Sequence, residues 1–548
     1  MWIAWIIFTV AAVAAIIIGI AFLFNVWRLT KMPLRHCSFS FIDRGAMPEE
    51  ENSKLAGAEA FLLSEGFVYS CSAHIPQTQM ALPGLDEEIY LNVYHHAESD
   101  VYAITSYAAA AACYVIAYLS CFSDGTRWLT YNKMRHYTME FDAPHIFDDY
   151  LPDDAAAWRA HWKRISDSNR QPARDKDLTM QIFRETETGV IDRMLKRGSL
   201  KPTTEGRWRL TWLFAFRYAL AVAVGLYKAG FPSPAPASTP EERGKRDAEA
   251  FLRRKEISQG LSPGKKHRRK LFVVTAILFL LVFGWRFDWI FSCVILFVVL
   301  LHELGHLLAM RAFGYKNTSI LFLPGLGGLA MGEKKDASPF QRLIIYLAGP
   351  MPGILLSGIL MYVIASTPPW HTSTYLFYGR LIAIATIVIN YMNLLPVFPL
   401  DGGRVVEMLA FSRLPRGRFV FTLMSCLAIL LAAFFMRETM LIVLGLLLAI
   451  GVPDQWRLAK VRLTMGKRDR EAQTEEEAVK MTFEALSHPR FAEWSLNKRI
   501  ELADVLVTER MERQPDGREI LLGGIVYLLC LALPLLFAFD MLKGLFSR

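Results

Sequence analysis

The stretch His302-Glu303-Leu304-Gly305-His306 lies near the end of an apolar run from Ile290 to Met310, bounded by Arg286 and Asp288 before it and Arg311 after it. A run of that length predicts a helix that crosses a membrane. On a helix, residues four apart share a face, so His302 and His306 are placed to grip one zinc ion. Glu303 stands beside them, placed to act on a water. An ionisable side chain within a bilayer costs a few kcal/mol even on insertion scales, and three packed together call for a functional reason.

Two histidines and a water leave zinc one protein ligand short. The best candidate for the third is Asp401, in Asn393-Leu-Leu-Pro-Val-Phe-Pro-Leu-Asp-Gly-Gly403, again at the end of an apolar run. Its prolines and glycines predict a helix that breaks at membrane depth. Such a break is tolerated only where protein or a water cavity covers the exposed backbone. A rival set takes a downstream glutamate, Glu407 or Glu438. The predicted topology sends Glu438 to the far side of the membrane, whereas Glu407 stays near.

The rest of the chain fits a membrane protein that carries soluble parts. It has 548 residues, 53% of them hydrophobic, and a mean hydropathy of +0.26. The formal charge of +9 belongs, in a membrane protein, mostly to cytoplasmic loops. No basic stripe with interleaved aromatics points to nucleic acid. The seven cysteines are scattered without a C-x-x-C pair, which argues against a disulfide framework and fits a reducing compartment. Cys71 and His74 have no matching pair with which to form a second metal site.

In chain order, Trp2 to Phe24 reads as an uncleaved signal anchor, with Arg28, Lys31 and Arg35 on its cytoplasmic side; residues 1–27 form this first segment. Residues 40–230 read as a cytoplasmic α+β domain. Glu88–His95 and Val101–Tyr107 alternate like strands, and the apolar Ala112–Phe122 reads as a buried strand ending at a Ser123-Asp124-Gly125 turn. Ala155–Ile165 and Leu178–Lys196 read as helices. The histidines of this domain (His74, His95, His96, His136, His145 and His161) show no catalytic spacing. Leu210–Tyr227, interrupted by Arg217, reads as an amphipathic or packing helix in preference to a span. Residues 231–270 form a Pro-rich linker ending in the basic run Lys265–Lys270, a topology anchor. Residues 271–453 form the membrane core, 454–518 a cytoplasmic helical segment opened by a Thr474-x-x-Glu477 capping box, and 519–548 a last span. The fold class is therefore a multi-pass α-helical membrane protein of about eight spans with an inserted α+β domain. Ile320–Leu329 is too short to span, and its glycines and proline suit a hairpin or a re-entrant loop.

Three features together resemble the site-2 protease family of intramembrane zinc metalloproteases: His302-Glu303-x-x-His306, the Asn393-x-x-Pro396-x-x-x-Leu400-Asp401-Gly402 block, and Gly349-Pro350 in the span between them. The resemblance covers roughly residues 271–405. One departure is that many members carry asparagine where this chain has Gly353. The resemblance implies one Zn2+ per chain on His302, His306 and Asp401, with Glu303 as general base. It implies hydrolysis of a peptide bond in or near the transmembrane segment of a membrane-tethered protein. Asn393, Gly349 and Gly353 become candidate substrate contacts, and the element at 315–331 an edge that holds an extended substrate. Independently of the resemblance, the positive-inside count of the spans puts the site near the cytoplasmic face, and the expected setting is a bacterial inner membrane. The rival of another class is a catalytically silent membrane scaffold that binds partners through residues 40–205. A scaffold, however, has no need of a glutamate between two histidines.

Overall fold

The computed structural model describes residues 22–36, 38–76, 88–124, 126–132, 146–151, 153–168, 188–203, 207–229, 239–260, 265–286, 288–323, 327–334, 336–366, 374–465 and 472–546, with a few isolated positions besides. The chain divides into two compact units. One comprises residues 16–262 and 487–500, the other 1–15, 263–486 and 501–548.

The first unit is built on a seven-stranded sheet in simple sequence order. Its strands are β1 (Ser40–Ile42), β2 (Val68–Ile75), β3 (Ile89–His96), β4 (Val101–Ala108), β5 (Cys113–Cys121), β6 (Arg127–Asn132) and β7 (Ile146–Leu151). All pairs are antiparallel except β6–β7, which is parallel. The strands expected at Glu88–His95, Val101–Tyr107 and Ala112–Phe122 are β3, β4 and β5. The apolar run of β5 is continuous because both faces of the strand are covered. Val115 and Leu119 belong to one core, with Val93 and Ile104. Ile116 and Tyr118 belong to the other, with Leu62 of α1 (Glu49–Ser64) and Trp158 of α2 (Asp154–Asp167). Asp153 caps α2 by accepting from the Ala156 N–H at 2.9 Å.

The helix expected over Leu178–Lys196 is seen as α3 (Val190–Lys196); most of 178–187 lies outside the described residues. Strands β8 (Leu200–Pro202) and β9 (Trp208–Leu210) form a small ladder. They lead into α4 (Trp212–Ala229), which covers the stretch expected to be helical. Phe214 and Ala215 of α4 are buried with Val26, Leu34, Ile191 and Leu210, while Trp212, Leu213, Leu220 and Val224 are exposed. Helix α5 (Pro240–Gly260) completes the unit: Ala250 packs on Ala112 and Leu496. The N-terminal anchor expected at 1–27 lies mostly outside the described residues.

The second unit is helical. Its helices are α6 (Lys265–Arg286), α7 (Trp289–Ala312), α8 (Pro339–Ala348), α9 (Pro350–Ala365), α10 (Thr374–Leu394), α11 (Asp401–Val406), α12 (Gly417–Met436), α13 (Thr439–Thr464), α14 (Glu475–Leu486), α15 (Leu496–Met511, whose first residues belong to the first unit) and α16 (Gly517–Phe546). Among the described residues, six helical segments are long and apolar enough to cross a membrane: Trp289–Ala312, Pro339–Ile364, Leu376–Leu394, Gly417–Met436, Leu441–Thr464 and Gly517–Pro534. The basic run 265–270 forms the first turns of α6, and the apolar part that follows is short for a span. The chain is thus an integral membrane protein that also carries a sheet-bearing unit.

Local chemistry fixes the elements around the site. Asp288 caps α7, its Oδ2 accepting from Ile290 N–H at 2.9 Å and Phe291 N–H at 3.2 Å. Ser338 and Gln341 form a reciprocal capping box at α8. The short apolar piece at 320–329 belongs to an antiparallel hairpin, β10 (Lys316–Leu323) with β11 (Gly327–Glu333). Phe322 of β10 is buried against Phe279 of α6. As expected, the chain leaves helical geometry between α10 and α11. Tyr527 Oη donates to the Leu394 carbonyl at 2.7 Å, satisfying an orphan acceptor at the end of α10. A Cβ at Gly402 would lie 1.9 Å from that same carbonyl oxygen, so only glycine allows α11 to fold back this tightly. At α14 the expected capping box is half formed: Thr474 Oγ1 accepts from Glu477 N–H at 3.2 Å, but the Glu477 carboxylate reaches the Gln473 N–H instead of that of Thr474.

Candidate metal centre

Helix α7 presents His302, Glu303 and His306 to the protein interior because they share its buried stripe with Val298, Val299 and Met310. The break after α10 turns Asp401 toward the same point. His302, His306 and Asp401 are each no more than 7% exposed. The Asp401 Oδ2 lies 3.0 Å from His302 Nε2 and 3.1 Å from His306 Nε2. The two Nε2 atoms are 3.2 Å apart. Among the described residues, these three form the group whose ligand atoms converge.

The other ring nitrogens show what the triangle is for. His302 Nδ1 lies 2.8 Å from Asn390 Oδ1, and His306 Nδ1 lies 2.7 Å from the Ile345 carbonyl. Both partners are oxygen acceptors, so each Nδ1 carries the hydrogen and donates it. In neutral imidazoles that leaves a lone pair on both Nε2 atoms. Three electron-rich atoms then face one another across 3.0–3.2 Å, an arrangement that a cation resolves. Zinc with N and O ligands at about 2.0–2.1 Å in tetrahedral geometry would hold them about 3.4 Å apart. The donor set and its spacing therefore fit Zn2+.

Glu303 is 6% exposed, and its carboxylate lies within electrostatic reach of both histidines and Asp401 while accepting from the Ala330 N–H of β11. The hairpin strand runs against it: a Cβ on Gly328 would come within 2.4 Å of Glu303 Cγ.

The remaining sequence candidates are distributed as follows. Gly349 lies against His306, where a Cβ would be 2.2 Å from Nε2. Gly353 lies against Asn390. Asn393 is half-buried and donates to the Ile389 carbonyl of its own helix at 3.0 Å. Of the rival ligands, Glu407 sits in a π-helical turn, Glu407–Phe411, and its Oε1 lies 3.7 Å from Arg418 Nε. Glu438 is exposed, immediately before α13. Sequence reasoning missed Asn390, the Ile345 carbonyl and the Ala330 N–H. Two of these are backbone groups that no side-chain pattern reveals. Asn390 did carry a signal, as a polar residue within an apolar span.

Residues 290–379 match Peptidase family M50, and the matched segment contains the histidine pair and Glu303. The chain is similar to a zinc metalloprotease of Methanocaldococcus jannaschii, 27% identical over 206 residues that make up 36% of this chain and 59% of the relative. It is also similar to stage IV sporulation protein FB of Bacillus subtilis, 29% identical over 121 residues, 22% of this chain and 40% of the relative. The chain thus spans about half the length of these relatives. The resemblance to the site-2 protease family is shown for residues 290–379, and Zn2+ is the metal to which the name of the Methanocaldococcus relative and the donor set of this chain both point.

Proposed function

We propose that this chain is an intramembrane zinc metalloprotease that hydrolyses a peptide bond in or near the transmembrane segment of a membrane-tethered protein. The observation that carries the reading is the convergence of His302, His306 and Asp401 beside a buried glutamate, on helices apolar enough to cross a bilayer. Zn2+ held by these three residues would supply Lewis acidity, easing deprotonation of a water and polarising a scissile carbonyl. Glu303 accepts the proton of the attacking water and later delivers it to the leaving amine. The Ala330 N–H orients that carboxylate. Asn393 is the residue proposed to hydrogen-bond the substrate or the developing oxyanion. Gly349 and Gly353 keep the neighbouring wall low enough for the site to form. A strand edge of the β10–β11 hairpin binds the substrate in extended form through backbone hydrogen bonds. A helical substrate must unwind locally to use it, so helix-breaking residues near the scissile bond favour cleavage.

The same reading places the protein in a bacterial inner membrane, crossing it about eight times if the N-terminal anchor and α6 are counted with the six apolar segments. The site lies near the cytoplasmic face and residues 40–230 lie in the cytoplasm. The test is Glu303→Gln: the purified variant is expected to hold as much zinc as the wild type and to fail to cleave a membrane-tethered reporter. Cleavage that persists would remove Glu303 as the base.

A further inference from the structure

Asn390 is fully buried, about one turn before the end of α10, and each end of its amide has a defined partner. The Nδ2 donates to the Thr386 carbonyl one turn earlier at 2.7 Å. That bond fixes which way the amide points, and so presents Oδ1, an acceptor, to His302 Nδ1 at 2.8 Å. Helix α9 leaves the space that Asn390 fills. A Cβ on Gly353 would lie 2.2 Å from Asn390 Nδ2 and 2.6 Å from its Cγ. The amide is held at both ends, through Oδ1 and Nδ2, so it cannot move away without breaking a bond.

We infer that Asn390 is a positioning residue: by accepting from His302 Nδ1, it holds that imidazole in the tautomer and ring plane that leave Nε2 free for zinc, and Gly353 is the gap that admits it. The inference rests on the proposed zinc site. An imidazole that loses its Nδ1 acceptor is free to carry its hydrogen on Nε2 and to rotate out of line with His306 and Asp401. Outer partners of metal-bound histidines typically change metal affinity by about 10–100-fold.

The experiment is zinc affinity by chelator competition on the detergent-purified full chain, with elution profile and thermal unfolding as folding controls. Asn390→Leu, similar in size but without an acceptor, is expected to bind zinc about 10–100-fold more weakly. Asn390→Asp keeps the acceptor toward His302 but loses the bond to the Thr386 carbonyl, so its second oxygen must turn to the buried Thr386 hydroxyl, which has no partner among the described residues. This variant is expected to stay within a few-fold of wild type. Gly353→Ala should expel the asparagine and reproduce the Asn390→Leu loss. The double variant Gly353→Ala/Asn390→Ala should be no weaker than Asn390→Ala alone, because the clash has been removed. Unchanged affinity in Asn390→Leu, or losses that simply add in the double variant, would overturn the inference while leaving the zinc site standing. A folded wild type that binds no zinc would overturn both.

Discussion

Among the described residues three histidines are buried: His302 and His306 in the helical unit and His161 in the sheet unit. All three have both ring nitrogens engaged, yet they are built for different ends. His161 Nε2 meets Ser120 Oγ at 2.9 Å and its Nδ1 meets Thr130 Oγ1 at 2.8 Å. A hydroxyl can donate or accept, so it satisfies either nitrogen and leaves nothing over. His302 and His306 have a plain acceptor behind them and another ligand atom in front. The acceptor fixes the hydrogen, and the ligand atom in front has none to offer. A buried histidine is thus a packing element or a metal ligand according to what faces its second nitrogen.

That contrast is broken most strongly by exchanging the fates of the two kinds. His302→Ala or His306→Ala should abolish stoichiometric zinc, whereas His161→Ala should leave zinc content unchanged and destabilise the sheet unit by about 2–4 kcal/mol through a cavity and two buried hydroxyls left short of partners. Zinc analysis beside hydrogen exchange of β5, β6 and α2 reads both effects. Zinc lost from the His161 variant would erase the distinction.

The charged networks of the two units come next. In the sheet unit Arg499 Nε lies 2.6 Å from Asp247 Oδ2, with both side chains at most 3% exposed. Asp247→Ala strands a buried guanidinium and should destabilise that unit by about 3–5 kcal/mol. In the helical unit Glu509 is clasped by Arg418 and Arg462, and Arg342 of α8 binds Glu512. Arg342 stands one turn before Ile345, whose carbonyl holds His306. Arg342→Ala should therefore weaken zinc retention as well as packing, a link that Asp247→Ala lacks. Equal zinc retention in the two variants would show that the clasp does not reach the site.

Acid should separate the units by degree. Burial holds the His161 ring down to about 3, against about 6.5 for an unfolded histidine. The unfolded chain then binds the extra proton, so this contribution is complete above about pH 6.5 and shrinks as pH falls toward 3. Glu509 behaves differently. Burial pushes its carboxyl up, but Arg418 and Arg462 outweigh that and hold it below the ordinary glutamate value. Its contribution is complete above about pH 4.3 and is lost only below that. Hydrogen exchange from pH 7 to 5 should show β5 and β6 opening before α15. The reverse order would contradict the assignment. Smallest of all is Arg44→Ala: its pair with Glu59 at 2.7 Å is partly exposed, and its loss should change stability by less than about 1 kcal/mol.

The parts legible in the sequence were those with strong local signals. The His302–His306 spacing on an apolar helix and the Pro- and Gly-rich break before Asp401 both mark residues that the fold brings together. Alternation revealed β3 and β4, and a short apolar run rich in β-favouring residues, closed by a turn signal, revealed β5. What escaped notice depends on tertiary partners. Strand β7 pairs in parallel with β6 across an intervening stretch, which no local pattern announces. Asn390 looks like an ordinary interruption of a span until His302 is set 88 positions away in sequence and 2.8 Å away in space. Gly353 gains its meaning from a neighbour on another helix. Glu477 has the spacing of a capping box, yet its carboxylate bonds one residue earlier than the pattern implies.

The central claim is that Asp401 completes a three-ligand zinc site with His302 and His306. Its most direct test is zinc per chain, measured in detergent-purified wild type and Asp401→Ala after loosely bound metal has been removed. About one zinc in the wild type, and a strong reduction in the variant with its fold intact, is the predicted result. Zinc retained in full without Asp401 would contradict the account and turn attention to Glu407, and a folded wild type without zinc would contradict it altogether.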